Sequence, residues 1–408
     1  MKKYINKIRK IKSEYSKFPN KEIDYVLDVL DKNTDTNYVD KLESEFSKLY
    51  GVKYSIACNS GTSALHASLA AIDLKPGDEV IIPALTVVMD AYAAIHVGAT
   101  PIFADVDKDT FLINHRTIEE KISAKTRAVI VVSLQGLPVD IDPIIKLSKK
   151  HNFYIIEDNA QDFTGKYHNR IAGCSGDIGI WSFENKKHLS GATEGGMICT
   201  NNKKLATRLR KFAGIGYKNM TATGGRTSLA ISEVQDPNYK RFDTIGLNYR
   251  MPHIVAAVCL GQLKSHKKIV RKRQKVAQIF RNAIKDCKWM IEQKIPDNHI
   301  HTHYTFSVRY LGEKYLGISW KEFYNKYLEI GGDGFYGACV CPHNEPSIKS
   351  YFKEKEYNRS ISTPVAEKIQ KEIMQFKTNY RDLNVANKKA ELLKKLIVNL
   401  SKKNEQKY

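Results

Sequence analysis

The stretch Phe153-Tyr154-Ile155-Ile156-Glu157-Asp158-Asn159-Ala160-Gln161 is a short apolar run that turns abruptly acidic and polar. A run of that length, apolar without alternation, reads as a strand buried on both faces. The segments before it repeat the theme. Ala128–Leu134 is another apolar strand, and Pro143–His151 between the two has helical spacing. Further upstream, Glu79-Val80-Ile81-Ile82-Pro83 reads as strand, Met89–Val97 as helix and Pro101-Ile102-Phe103-Ala104-Asp105 as strand. Strands alternating with helices give an α/β fold with a mostly parallel central sheet flanked by helices. Ligands on such sheets sit at the carboxyl ends of the strands. Asp158 stands at such an end. So does the turn Asn59-Ser60-Gly61, which follows the strand Tyr54-Ser55-Ile56-Ala57-Cys58 and opens a helix carrying Leu65, Leu69 and Ile72 on one face.

Outward from this centre, residues 21–50 read as helix, a break at Asp31-Lys32-Asn33-Thr34-Asp35-Thr36, and a second helix with Val39, Leu42, Phe46 and Leu49 at helical spacing. A long helix is expected from Pro252 to Ala283, bent near Ser265. Shorter strands such as Tyr304–Tyr310 and basic helices follow. These patterns divide the chain into a large domain, 1–260, and a long connecting helix with a smaller C-terminal α+β domain, 261–408.

The 408 residues suffice for two domains and a large core. No apolar run is long enough to span a bilayer, and Met1-Lys2-Lys3-Tyr4-Ile5-Asn6-Lys7 has no apolar signal core behind it. The seven cysteines are odd in number and scattered, with no C-x-x-C pair. Free thiols in a reducing cytoplasm, and no metal site, are the expectation. The formal charge of +21 admits nucleic-acid binding, attraction of a phosphate-bearing substrate, or a lysine-rich surface. The densest clusters, Lys264-Ser265-His266-Lys267-Lys268 and Arg271-Lys272-Arg273, read as solvated helix faces. No zinc-finger spacing or RNA-binding aromatic motif accompanies them, so nucleic acid is not the expected partner.

Three features carry chemistry. Trp181-Ser182-Phe183-Glu184-Asn185-Lys186-Lys187-His188-Leu189, with Glu194-Gly195-Gly196-Met197 after it, places lysines in a short loop. A lysine condenses with an aldehyde only when neutral, which a desolvated pocket favours. Both Lys186 and Lys187 are candidates at this point. Asp158 at a strand end could keep a pyridine nitrogen protonated, and Gln161 could meet a ring oxygen. Gly61-Thr62-Ser63 opens a helix whose free N–H groups suit a phosphate, and Ser182 could add a hydroxyl. Each signal alone is commonplace, since strand-end aspartates cap turns and serines cap helices. In this order they are the parts that hold pyridoxal 5'-phosphate as a Schiff base.

With these residues the chain resembles the DegT/StrS-type nucleotide-sugar aminotransferases, of the aspartate-aminotransferase-like fold type I. The resemblance rests on Asn59-Ser60-Gly61-Thr62-Ser63-Ala64-Leu65, Pro76-Gly77-Asp78-Glu79-Val80-Ile81, Glu157-Asp158-Asn159-Ala160-Gln161, Ser182-Phe183 with Lys187 four positions on, Glu194-Gly195-Gly196-Met197 and Gly246-Leu247-Asn248-Tyr249-Arg250-Met251. It implies that Lys187 carries the cofactor and shuttles the proton, Asp158 pairs with the pyridine nitrogen, and Gln161 meets the ring oxygen. Thr62, Ser63 and Ser182 would hold the phosphate. Asn248 would reach it from the neighbouring subunit of a homodimer with shared active sites. Arg250 would bind an anionic substrate group. Dehydratases of the family have histidine in place of the lysine; counting from Ser182-Phe183, that position is Lys187 and His188 comes one later, which favours transamination. Two departures stand out. Val87 follows Thr86 where an aromatic residue often stacks on the ring, and the stretch from Lys187 to Glu194 is one residue longer than in many relatives.

The expected activity is transfer of an amino group from an amino acid, glutamate, to a keto group of a nucleotide-linked sugar, for polysaccharide, glycan or secondary-metabolite synthesis. The alternatives are a sugar dehydratase, an aminotransferase on a keto-cyclitol or free keto sugar, and a non-catalytic regulatory or nucleic-acid-binding protein. The Phe335–His343 stretch is expected among the segments that choose the sugar, with His343 either lining the pocket or serving only as a loop residue.

Overall fold

The computed structural model describes residues 20–31, 36–224, 231–337, 339–356 and 361–405. The N-terminal residues Met1–Lys7 and most of the break expected at Asp31–Thr36 lie outside them. The chain divides into two compact units, residues 1–73 with 177–267, and residues 74–176 with 268–408.

The first unit begins with helices α1 (Asn20–Leu30) and α2 (Tyr38–Tyr50), strand β1 (Tyr54–Cys58) and helix α3 (Gly61–Ala71). Helix α2 starts where the Asn37 side chain accepts the Asp40 N–H and stops at Gly51, whose φ of 65° ends the helix in the left-handed region. Leu42 and Phe46 are fully buried beneath it. The second unit then supplies β2 (Glu79–Pro83), α4 (Met89–His96), β3 (Thr100–Ala104), β4 (Thr126–Val132), α5 (Ile141–His151) and β5 (Tyr154–Asp158). These strands pair in the order β5-β4-β2-β3, all parallel. Because they are parallel, their carboxyl ends share one edge. That edge gathers Thr86 and Asp90 beyond β2, Ser133 and Gln135 beyond β4, and Asp158 with Gln161 at the end of β5.

The chain returns to the first unit with β6 (Ile178–Ser182), β7 (Gly196–Thr200), α6 (Lys203–Ala213) and α7 (His253–Leu263). Here β7 lies between β1 and β6, antiparallel to both. A buried bidentate pair, Arg210 to Glu43 at 2.6 and 3.2 Å, ties α6 to α2, and Glu43 also accepts the Ala57 N–H of β1 at 2.8 Å. Such forked pairs fix orientation as well as attraction.

From Lys268 the second unit continues with most of α8 (His266–Ile284), then β8 (Met290–Glu292), β9 (Thr305–Tyr310), α9 (Trp320–Glu329), β10 (Ile373–Lys377) and α10 (Leu383–Glu405). The long helix expected over Pro252–Ala283 is thus two helices, interrupted at Lys264-Ser265. Strands β8, β9 and β10 form an antiparallel sheet. Its core, around Phe280, Phe306, Phe323, Tyr327 and Phe376, is drawn entirely from residues 276–400. The basic run on α8 is not wholly a solvated face. Arg273 is buried, donating to the Tyr304 carbonyl at 2.9 Å and to Thr378 Oγ1 at 3.2 Å, and burial pushes its guanidinium down to about 10. It stands midway between Val270 and Val276, on the buried face of the helix, and that spacing was the one signal of it in the sequence.

Nearby, His303 stacks on His301 with ring centroids 3.9 Å apart, and burial pushes its imidazole down to about 3. The unfolded chain protonates this ring below about pH 6.5. The folded chain refuses the proton until about pH 3. His303 therefore costs stability as pH falls through that window, up to about 1.4 kcal/mol per pH unit. A His303→Gln variant should show a flatter fall of its thermal midpoint with acid than the wild type.

Candidate active site

Strands β1 and β6 run in the same direction on either side of β7, and Cys58 and Ser182 both pair with Gly196. Their carboxyl ends therefore meet. The chain leaves β1 through Asn59 and Ser60 into α3. Ser60 caps this helix, its hydroxyl accepting the Ser63 N–H at 3.0 Å. The amides of Gly61 and Thr62 precede the helical ladder and carry the positive end of the helix dipole. Ser182 lies directly against them: a Cβ on Gly61 would stand 2.7 Å from the Ser182 Cβ. A Cβ on Gly196 would stand 2.3 Å from the Ser60 carbonyl oxygen. Only glycines let these three backbones approach so closely. The result is a helix N-terminus flanked by the hydroxyls of Thr62, Ser63 and Ser182, a donor set that fits a phosphate.

The loop after β6 is held at its root. Phe183 N–H donates to Gly195 O at 2.7 Å, and Gly191 N–H to Phe183 O at 2.8 Å. Lys187 N–H closes a turn on Glu184 O at 2.9 Å. The turn sorts its residues by exposure. Lys186 is exposed, Lys187 is half-buried, and His188, Leu189 and Ser190 are buried. Burial pushes the Glu194 carboxyl up, the charge of Glu184 adds to this, and Lys187 pulls it back.

Asn248 and Arg250 come to the same turn by their backbone. Tyr249 O accepts the Asn59 N–H at 2.8 Å, and Arg250 bridges to Cys58. Their side chains are exposed, with Arg250 Nε donating to Asn248 Oδ1 at 3.1 Å. Both line a cleft of about 580 Å³ with Asn37, Asp40, Tyr217 and His253.

In the second unit Asp158 is the last residue of β5 and 1% exposed. Its Oδ1 accepts the Ala160 N–H at 2.8 Å. Gln161 Oε1 accepts the Gln135 N–H at 2.8 Å, which leaves Nε2 as its donor. A buried carboxylate on a strand end, with an amide donor beside it, fits a protonated pyridine ring and its ring oxygen. Two residues here escaped the sequence reading. Gln135 sits at a positive φ of 64°, rare for a side chain of its kind, and donates to Cys339 Sγ at 2.9 Å while accepting from Thr305 Oγ1. Asp90 is fully buried and accepts from Thr86 Oγ1 at 2.6 Å. An acid inside the apolar helix Met89–His96 was the only signal for it; nothing in the sequence marked Gln135.

Thr86 also exchanges backbone hydrogen bonds with Val340, at 3.2 and 3.4 Å, so part of the Phe335–His343 stretch lies beside Thr86 and the partly exposed Val87. His343 is turned into the fold. Its Nε2 lies 3.0 Å from Glu367 Oε1 and 3.2 Å from Thr363 Oγ1, against the Phe103 ring.

The model of the DegT/DnrJ/EryC1/StrS aminotransferase family matches residues 17–384. The chain belongs to this family. It is a pyridoxal-phosphate-dependent aminotransferase of the α/β class. A GDP-perosamine synthase of Escherichia coli O157:H7 is 35% identical over 293 residues, which cover 71% of this chain and 74% of that one. The aminotransferase from Psychrobacter cryohalolentis matches with a TM-score of 0.82 and 26% identity, over 95% of this chain and 98% of its own. An E. coli GDP-4-keto-6-deoxy-D-mannose-3-dehydratase with bound hydrated PLP matches at 0.81 and 23% identity, over 94% and 97%. That last likeness is one of fold, and the fold alone does not separate amination from dehydration. Among the described residues, no helix is long and apolar enough to cross a membrane.

Proposed function

We propose that the protein transfers an amino group from glutamate to the keto group of a nucleotide-linked deoxysugar, as a homodimer in the cytoplasm. The large domain, 1–260, would hold the cofactor, and 261–408 would form the smaller domain. The half-buried Lys187 carries the reading: it holds the position at which dehydratases of this family have histidine, and its neighbour Lys186 is exposed. The relative at 35% identity, named for a GDP-linked amino sugar, supports a nucleotide-linked substrate.

When bound, pyridoxal phosphate supplies an electron-withdrawing ring and an aldehyde that takes up and returns the amino group. The chain's residues do the rest. Gly61, Thr62, Ser63 and Ser182 bind the phosphate through the α3 N-terminus. Asp158 keeps the ring nitrogen protonated, and Gln161 orients the ring. Lys187 Nζ would tether the cofactor and move the proton on and off the substrate carbon. Arg250, on the surface beside Asn248, would meet an anionic substrate group.

The dimer draws support from Phe242, Ile245, Leu247 and Ile254, which are exposed along one stretch around Asn248; Ile245 is 96% exposed. Single exposed apolar residues are ordinary, but a run of them marks a face that a partner covers. Ile245→Arg should weaken self-association at least about tenfold, by the roughly 1.5–3 kcal/mol that burying such a side chain contributes. Sedimentation would read this as a shift towards monomer.

The substrate is tested with a panel of keto sugars on GDP, UDP and dTDP, free keto sugars and keto-cyclitols, using glutamate as donor. Amination of a nucleotide-linked member, and of none of the free sugars or cyclitols, is the expected result. Preference for a free sugar or cyclitol would overturn the substrate assignment.

A further inference from the structure

Asp90 is a buried acid that the proposed chemistry leaves unused. It lies in the first turn of α4 with no exposed surface. One carboxyl oxygen, Oδ2, accepts the Thr86 hydroxyl at 2.6 Å. The other, Oδ1, is buried without a hydrogen-bond partner. Asp158 lies within hydrogen-bonding reach of this carboxyl and is itself 1% exposed.

Two carboxylates so close in a dry interior cannot both stay ionised, because each raises the cost of charging the other. With both ionised, neither has a proton to give, and Oδ1 of Asp90 stays orphaned. A single proton on Asp90 removes the repulsion and turns the close approach into a hydrogen bond. The backbone favours placing it there. Asp158 accepts the Ala160 N–H, which stabilises its charged form, whereas Asp90 has a single hydroxyl donor. Burial first, and then the charge of Asp158, push the Asp90 carboxyl well above the usual carboxylate range. Of the strands packed on α4, β2 brings Glu79 at its far end, where Ser123 donates to it, and β3 brings no titratable side chain.

We propose that Asp90 is a protonated positioning residue whose carboxylic acid donates a hydrogen bond to Asp158 and holds it, as the one negative charge of the pair, for the cofactor's ring nitrogen. The inference rests on the role given to Asp158 above. Asp90 thereby fixes the Asp158 rotamer and limits the charge facing the ring to one carboxylate.

The test compares Asp90→Asn, Asp90→Ala and Asp158→Asn with the wild type. Asparagine keeps a donor towards Asp158; alanine does not. Asp90→Asn should bind pyridoxal phosphate within about twofold of wild type, and Asp90→Ala about tenfold or more weakly, as expected for losing a hydrogen bond to a charged group. Binding is read by fluorescence titration, apart from activity. The infrared difference spectrum of wild-type holoenzyme minus Asp90→Asn should show a carboxylic-acid carbonyl band at neutral pH that shifts in heavy water. Absence of that band, or an Asp90→Asn variant as weak as Asp90→Ala, would overturn the inference while leaving Asp158 in place. Wild-type cofactor affinity in Asp158→Asn would instead remove the role given to Asp158, and the inference with it.

Discussion

A Lys187→Ala variant should emerge colourless from dialysis, and its turnover should fall on the order of 10⁴-fold, about 5 kcal/mol of barrier. The size follows from two losses at one atom. The amine that tethers the cofactor is gone, and so is the base that moves the proton at the substrate carbon; general acid–base catalysis alone accounts for about 10²–10⁴-fold. Lys187 is half-buried, whereas its neighbour Lys186 is exposed. The matching Lys186→Ala variant should stay within about twofold of wild type, because exposed charges away from a site contribute little. Visible absorption and turnover, measured on both variants, decide between the two lysines. Loss of colour in the Lys186 variant instead would move the anchor by one residue.

The second large effect belongs to Asp158. Replacing it with alanine should lower turnover by about 10²–10⁴-fold and release the cofactor more readily. Removing one partner of a buried charge pair costs about 3–5 kcal/mol, since the other charge is left uncompensated. Asp158 is buried at the end of β5, and its Oδ1 is held by the Ala160 amide, so its side chain is already fixed before a ligand arrives. An added exogenous carboxylate should not restore activity in a site this enclosed. Equal turnover in Asp158→Ala and wild type would show that the ring nitrogen is held elsewhere.

Asp158 was legible because it stands at a strand end, where an apolar run stops; Lys187 lies in a turn beyond Ser182, and the glycines after it marked that loop. The apolar pattern places strand β5 at Phe153–Glu157, and it spans Tyr154–Asp158, a shift of one residue that leaves the acid at the same edge. Strand β4 stops at Val132, two residues short of Leu134, because the chain bends at Gln135, whose φ is 64°. The antiparallel pairing of β6 with β7 was not read from the alternation. The two are joined by the Phe183–Gly195 loop without a crossover helix, and parallel neighbours need such a crossover. Arg273 escaped because a charged residue at core spacing looks like any other in a basic run; its partners, the Tyr304 carbonyl and Thr378, are far away in sequence. Asp90 and Gln135 escaped for the same reason: their meaning lies in what the parallel edge brings beside them.

Amination and dehydration of one keto sugar leave different products. The purified protein, loaded with pyridoxal phosphate and given glutamate and a GDP-linked 4-keto-6-deoxy sugar, is analysed by mass spectrometry of the nucleotide product. The expected product has the keto oxygen replaced by an amine and every hydroxyl of the sugar retained. A product that keeps the ketone and has lost a neighbouring hydroxyl would contradict amination.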